Sequence, residues 1–433
     1  MNKSSVWLIS LCLITCGAKA DFSQAIIFYS GADALTKSQA SVLSKYDLII
    51  TDRFRYKDVS GNSWRYIKRK NSDSQILLYQ LGPIVSKHSD QYKPFYLNNI
   101  GRYDEIKNKN IVANANKSPS YFISNILGSN AHVKGYEHYL WLDFSEQHIQ
   151  DLWFSSTKKD VLDQRWRADG IFMDLGLAYP FSYKDYLRGL VPEKYKEPAV
   201  WGEAMKKFIA YQTQLLNNED QLFAVNRSYS ATEYGYQDWR QLDKSEVAPQ
   251  FVMEENAFFN HYGPSDIQWL TEEQWWRQIE MSQHISHSSI IFVAQTDIPL
   301  DGSGKDNFGN QVSYCQALRF ATMSTLLAEK KGRRDYLIFN EDRTKQRLRN
   351  ISYKSMLDEL DVGGPVSSLE VKKTSNGLLY KRHFEHATVY VNPGNKAIVL
   401  NLPSNSEILP WACAAKVNSK ELASKDAILI LRQ

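Results

Sequence analysis

Between residues 25 and 342 the chain alternates short apolar runs with longer amphipathic stretches. The runs are AIIFYSG from Ala25, DLIITD from Asp47, QILLYQLG from Gln75 and DGIFMDLG from Asp169. They continue with QLFAVN from Gln221, QFVMEEN from Gln250, SIIFVAQTD from Ser289 and DYLIFN from Asp335. Such strands, apolar on both faces and separated by helical segments, are what a parallel sheet covered by helices produces. Eight of them predict an α/β fold, a (β/α)8 barrel spanning residues 21–345. A ninth run, HYLWLDFS from His138, predicts an extra short strand in a long third loop. Helical faces are readable too. Met205, Phe208, Ile209 and Gln212 share one side of a helix over Glu203 to Leu216. Thr271, followed by Glu272 and Glu273, has the form of an N-cap. Val312 to Lys331 predicts a long helix with a basic last turn and a stop at Gly332. Beyond it the helical period vanishes. Residues 346–433 predict a small antiparallel β domain with Pro, Gly and Asn turns.

The ends and the cysteines bear on location. Residues 1–20 read as a secretory leader, with Lys3, an apolar stretch from Val6 to Thr15, and Ala18-Lys19-Ala20 before Asp21. The expectation is an exported chain, periplasmic or extracellular, with no transmembrane segment after cleavage. A lipoprotein site at Leu13-Ile14-Thr15-Cys16 is the weaker reading, because Thr15 fits it poorly. Cys315 and Cys413 remain after the leader and either pair or stay as two buried thiols. The formal charge of +4 drops to +2 without Lys3 and Lys19, so nothing calls for nucleic acid.

Barrel enzymes carry their chemistry at the C-terminal ends of the strands. Those ends here bring Tyr29, Asp52, Tyr79, Gln80, Asp174, Asn226, Glu254, Glu255, Gln295, Asp297 and Asn340. A polar group at nearly every end implies a polar cleft. Asp174 and a strand-six glutamate stand out, since a carboxylate closing an apolar strand needs a cleft or a partner. Facing each other across the barrel mouth, they form the pair that glycosidic-bond cleavage needs. Alternation turns only one of Glu254 and Glu255 inward. Glu255 is favoured, with the parity open. Tyr29, Asp52, Tyr79, Asn226, Gln295 and Asp297 are the candidate substrate-binding residues.

Aromatic residues reach 13%, with 11 Trp, 25 Tyr and 19 Phe. Loop aromatics Tyr179, Phe181, Tyr183, Tyr229, Tyr234, Tyr236, Phe258, Phe259 and Tyr262 suit either sugar platforms or plugs that anchor loops. The pairs His284/His287 and His383/His386 are weak metal candidates. The first closes a helix and the second lies in the β domain. No phosphate-binding loop, dinucleotide fingerprint or serine elbow is present, and neither a metal nor an organic cofactor is expected.

At DGIFMD, FVMEEN and YKRHFEHATVYVNP the chain resembles the bacterial and fungal glycosyl hydrolases related to endo-α-1,4-polygalactosaminidases. In those families a barrel carries an aspartate in a "DGxFxD"-like strand and a glutamate in a "vmxE"-like strand. The matching segments are Asp169 to Asp174 and Val252 to Glu255. The third segment resembles their small β domain, with Ala387 standing, in an expected turn, where glycine is usual. The resemblance implies a glycoside hydrolase acting on a polysaccharide or oligosaccharide, with an amino-sugar-rich one among the candidates. The alternatives are a non-catalytic carbohydrate-binding barrel of the cell envelope and an envelope scaffold working through its β domain.

Overall fold

The computed structural model describes residues 23–28, 36–51, 62–86, 121–133, 136–158, 168–181, 183–228, 230–242, 247–261, 266–285, 289–298, 305–329, 335–341, 360–402, 406, 408 and 421–432. Eight parallel strands close into a barrel: β1 (Ser23–Phe28), β2 (Leu48–Thr51), β3 (Gln75–Leu81), β4 (Gly170–Asp174), β5 (Leu222–Asn226), β6 (Phe251–Glu255), β7 (Ile291–Ile298) and β8 (Tyr336–Glu341). Each pairs with its sequence neighbours, and β1 closes on β8. All eight arise from the eight apolar runs. The helices that follow the first seven strands are α1 (Lys37–Leu43), α2 (Asn62–Lys70), α3 (Gln147–Thr157), α4 (Pro198–Asn217), α5 (Glu233–Trp239), α6 (Glu272–Ile285) and α7 (Tyr314–Ala328). The ninth run forms the strand Tyr136–Trp141, in a three-stranded antiparallel sheet within the β3–α3 connection.

Strand alternation divides the core in two. Inside the barrel lie Ala25, Ile27, Leu48, Ile50, Leu77, Phe172, Ala224, Phe251, Met253, Val293, Tyr336 and Ile338. Their neighbours Ile26, Ile49, Leu78, Ile171, Met173, Val225, Val252, Phe292 and Leu337 pack outward under the helices. At the N-terminal end, the side chain before one strand accepts from the preceding strand. Asp169 takes the Ile76 N–H at 2.7 Å, Gln250 that of Phe223 at 2.7 Å and Asp335 that of Phe292 at 3.1 Å. The first aspartate of the DGIFMD motif is therefore a structural seal at the opposite end of β4 from Asp174. It also pairs with Lys68 of α2.

The helices depart modestly from the periodicity. α4 begins five residues before Glu203, with Pro198 at its first turn, where a missing N–H costs nothing. α6 does start at Thr271, whose hydroxyl accepts from the Gln274 N–H while the Gln274 side chain accepts from the Thr271 N–H. α7 starts from the Ser313 cap and ends at Ala328. Lys331 and Gly332 lie outside the described residues.

The C-terminal domain is a four-stranded antiparallel sheet of β9 (Glu370–Thr374), β10 (Gly377–His383), β11 (Ala387–Asn392) and β12 (Asp426–Leu431), in that order. It docks on α6 and α7. Arg382 donates to the carbonyls of Leu327, at 2.8 Å, and Glu329, capping the last turn of α7. Arg319 of α7 holds Asp426 bidentately, at 3.1 and 2.8 Å. The Tyr380 hydroxyl donates to Glu272, and Lys425 donates to the carbonyls of Leu270, at 2.8 Å, and Pro393. Much of the YKRHFEHATVYVNP motif is thus domain mortar. Asn392 ties the Lys396, Leu422 and Ala423 carbonyls. Ala387 is the buried first residue of β11 and not a turn residue. Cys315, in the first turn of α7, is disulfide-bonded, against the free-thiol alternative. Its partner and Cys413 lie outside the described residues.

Two outcomes follow from this interface. Arg319→Ala strands a buried carboxylate and should lower unfolding stability by about 3–5 kcal/mol, read by denaturant melting. Burial pushes the Lys425 ammonium down to about 8, with Glu272 and Asp306 opposing the shift. Between pH 8 and the ordinary lysine value of 10.5, the unfolded chain holds a proton that the folded chain lacks. Stability therefore rises with pH across that window, by up to about 1.4 kcal/mol per unit, and is lowest below it. Lys425→Met should lose this component, seen as a change in its stability difference from wild type between pH 8 and 10.

Candidate active site

The inward rows of β3, β4, β5 and β6 turn polar at their C-terminal ends. One inward step beyond Leu77 is Tyr79, beyond Phe172 is Asp174, beyond Ala224 is Asn226, and beyond Met253 is Glu255. The structure brings these four together. Asp174 accepts at Oδ1 from the Leu175 N–H and the Asn226 amide, both at 2.8 Å, and at Oδ2 from the Tyr79 hydroxyl. The same Asn226 nitrogen donates to Glu255 Oε2 at 2.9 Å. Two bonds from one nitrogen limit the two carboxylate oxygens to a separation of at most about 5.7 Å. Both carboxylates keep partial exposure, whereas Asn226 is 2% exposed.

The amide is itself oriented. Ser228 Oγ lies 2.6 Å from Asn226 Oδ1 and accepts the Glu255 N–H at 3.0 Å. Tyr79 lies on Phe172 of the inner core, ring centroids 5.9 Å apart. The site rests on several backbone conformations that side-chain-bearing residues seldom adopt. Leu175 follows Asp174 at φ 61°, Asn256 follows Glu255 at φ 62°, and Ser228 lies at φ 27°. Such strain clusters where geometry is over-determined for function.

The loop after Asp174 is clamped from below. Arg227, fully buried, donates to the carbonyls of Gly176, at 2.7 Å, and Leu177, and pairs with Asp238 of α5. Burial pushes the Asp238 carboxyl up, and the guanidinium pulls it back. Gly176 and Gly82 permit the close approaches. A Cβ on Gly176 would meet Val225 at 2.3 Å, and one on Gly82 would meet the Asp174 carbonyl at 2.8 Å.

The remaining candidates separate. Glu254 faces outward, buried, and accepts the Ser230 N–H at 3.0 Å, so the outward parity excludes it from the pair. Gln80 shares the outward row of Ile76 and Leu78 and is buried. Gln295 is beside Glu255 in register and 5% exposed. Asp297 is in register with Asn340, but both side chains lie outside the described residues, as do Tyr29 and Asp52. Among the loop aromatics, Phe181, Tyr236, Phe258 and Phe259 are buried plugs. Tyr179 and Tyr234 stay accessible, with ring centroids 6.0 Å apart. Tyr229, Tyr262 and the Tyr183 side chain fall outside the described residues. His383 is bonded to Thr388 and His386 to Asp361, while His287 is outside. Among the described residues no group of three His, Cys, Asp or Glu side chains could hold a metal ion. Ser228 and Arg227 were missed by strand alternation because they lie beyond the strand. A charged Arg227 directly after an apolar run was the available signal.

The fold recurs in solved structures. An isomaltulose synthase variant of Erwinia rhapontici NX5 in complex with D-glucose matches with a TM-score of 0.54 at 8% identity, over 96% of this chain and 99% of that one. Another variant of that enzyme, with sucrose, matches at 0.53 and 9%, over 95% and 98%. These likenesses concern the fold. No curated protein matches in sequence. The model of hypothetical glycosyl hydrolase family 15 matches residues 68–388, from α2 into β11. That span exceeds half of the chain and includes Tyr79, Asp174, Asn226 and Glu255, so the chain belongs to hypothetical glycosyl hydrolase family 15 and is a glycoside hydrolase.

Proposed function

We propose that the chain is an exported, retaining glycoside hydrolase that cleaves a polysaccharide through Asp174 and Glu255. The observation that carries this reading is the Asn226 amide shared by the two carboxylates. A ceiling of about 5.7 Å between their nearest oxygens suits the short spacing of retaining enzymes, about 5–5.5 Å, better than the 6.5–9.5 Å of inverting ones. A non-catalytic binding barrel would have no need of two like charges held at one donor.

The donors to Asp174 support an assignment of roles. Tyr79, Leu175 and Asn226 all donate to Asp174, an environment that suits a carboxylate. Asp174 is therefore the nucleophile and Glu255 the acid and base. In the first step an Asp174 oxygen bonds to the anomeric carbon as the glycosidic C–O bond breaks. The Glu255 proton goes to the leaving oxygen. In the second, Glu255 takes a proton from water, the water oxygen bonds to the anomeric carbon, and Asp174 departs as a carboxylate.

The substrate reading is an amino-sugar-rich polysaccharide, supported by the resemblance of DGIFMD and FVMEEN to polygalactosaminidase relatives. Tyr179, in the loop after β4, and Tyr234, in the first turn of α5, offer accessible rings. Export is supported by the leader pattern of residues 1–20 and by the disulfide at Cys315, which suits an oxidising compartment. Among the described residues no helix is long and apolar enough to cross a membrane.

Purified protein incubated with amino-sugar and neutral exopolysaccharides should release new reducing ends from at least one. Asp174→Asn and Glu255→Gln should each lower that rate by about 10²–10⁴-fold with the fold intact by circular dichroism. Full activity in both variants removes the assignment. The first product seen by proton NMR should keep the anomeric configuration of the substrate. An inverted product would mean that Glu255 or Asp174 activates water directly.

A further inference from the structure

We propose that Ser228 is a positioning residue whose hydroxyl fixes the Asn226 amide with its nitrogen toward both carboxylates. The assignment rests on the reading of Asp174 and Glu255 as the catalytic pair. A hydroxyl has one hydrogen to give and lone pairs to receive. Ser228 Oγ receives the Glu255 N–H at 3.0 Å, and its hydrogen is directed at Asn226 Oδ1, 2.6 Å away. That leaves both Asn226 N–H bonds for Asp174 and Glu255. With the amide reversed, Oδ1 would face two carboxylate oxygens, and neither carboxylate would receive its donor.

The serine is placed firmly enough for this task. Its own N–H reaches the Met253 carbonyl at 3.3 Å, and its carbonyl accepts the indole N–H of Trp239 at 3.3 Å. Trp239 is fully buried on α5. The residue is 6% exposed and sits at φ 27°, a conformation that an ordinary linker would avoid. One hydroxyl therefore links the ends of β5 and β6, fixes the amide between two charges and anchors the backbone of Glu255. Because Asn226 joins both carboxylates, the protonation of either one is felt at the same two amide protons.

The test reads those protons directly. In ¹⁵N–¹H spectra of the intact protein, the Asn226 side-chain signals are assigned by their loss in Asn226→Asp. Wild type should show both protons downfield of free amides, and both should shift as the carboxylates titrate. Ser228→Ala should move at least one toward the free-amide position and weaken the pH response. Ser228→Gly, which tolerates positive φ without strain, should do the same and guards against a folding defect. On whichever polysaccharide wild type cleaves, kcat should fall about ten- to a hundredfold with KM within about twofold. Unchanged Asn226 signals in both Ser228 variants would overturn the proposal, since a merely structural serine leaves the amide in place. The spectra decide this even if no polysaccharide is cleaved, an outcome that would instead count against the hydrolase reading of the pair.

Discussion

Two carboxylates brought to one donor repel each other. With both ionised, at the ceiling of about 5.7 Å and an effective dielectric near 20, their repulsion is at least about 3 kcal/mol, a sizeable fraction of the net stability of a domain. Everything around the barrel mouth serves to hold them there regardless. The Asn226 amide gives each carboxylate a hydrogen bond, and the Tyr79 hydroxyl and Leu175 N–H offset more of the charge on Asp174. β4, β5 and β6 each then turn through a positive-φ residue at or just past their ends, namely Leu175, Ser228 and Asn256. Those turns are unfavourable locally and are held by buried contacts beneath them, chiefly Arg227 on the Gly176 and Leu177 carbonyls.

The tryptophans complete this support. Trp153 of α3 donates its indole N–H to the Leu81 carbonyl, Trp201 of α4 to that of Leu177, and Trp239 of α5 to that of Ser228. Each is buried, and each bonds the chain at or just past the end of the strand preceding its own helix. The indole suits this place because it fills the gap between helix and barrel and still brings one polar atom to a carbonyl that would otherwise be buried unpaired. Part of the 13% aromatic content is thus explained by anchoring strand-end loops, while Tyr179 and Tyr234 keep accessible rings.

The division between what the sequence disclosed and what it concealed has a physical basis. A period of two along an apolar run is a strong signal, and it carries the barrel from Ala25 to Ile338 and on to Tyr79, Asp174, Asn226 and Glu255. The choice between Glu254 and Glu255 needed the phase of that period, which adjacent identical residues conceal. Met253 in the inner layer and Val252 in the outer one supply it. Ser228 and Arg227 lie past the strand, where the period stops and position depends on a turn that no local pattern specifies. The YKRHFEHATVYVNP segment has the opposite character. It is prominent in sequence, yet its Arg382 serves the joint between domain and barrel and its Asn392 ties loops within the domain.

That joint bears on whether the β domain has a function separable from the barrel. Its contacts are with α6 and α7, the helices that follow β6 and β7. Removing the domain would uncover the apolar side of α7 and leave the last carbonyls of that helix without Arg382. It would also strip Arg319 of its buried carboxylate and Leu270, at the entry to α6, of the Lys425 ammonium. A barrel cut back before this domain would therefore lose support for α6 and α7, whatever the domain does on its own. Loss of function on truncation cannot distinguish an envelope scaffold from an enzyme. Substitutions on the edge strand β9, where Val371, Lys372 and Lys373 are exposed, separate the two roles.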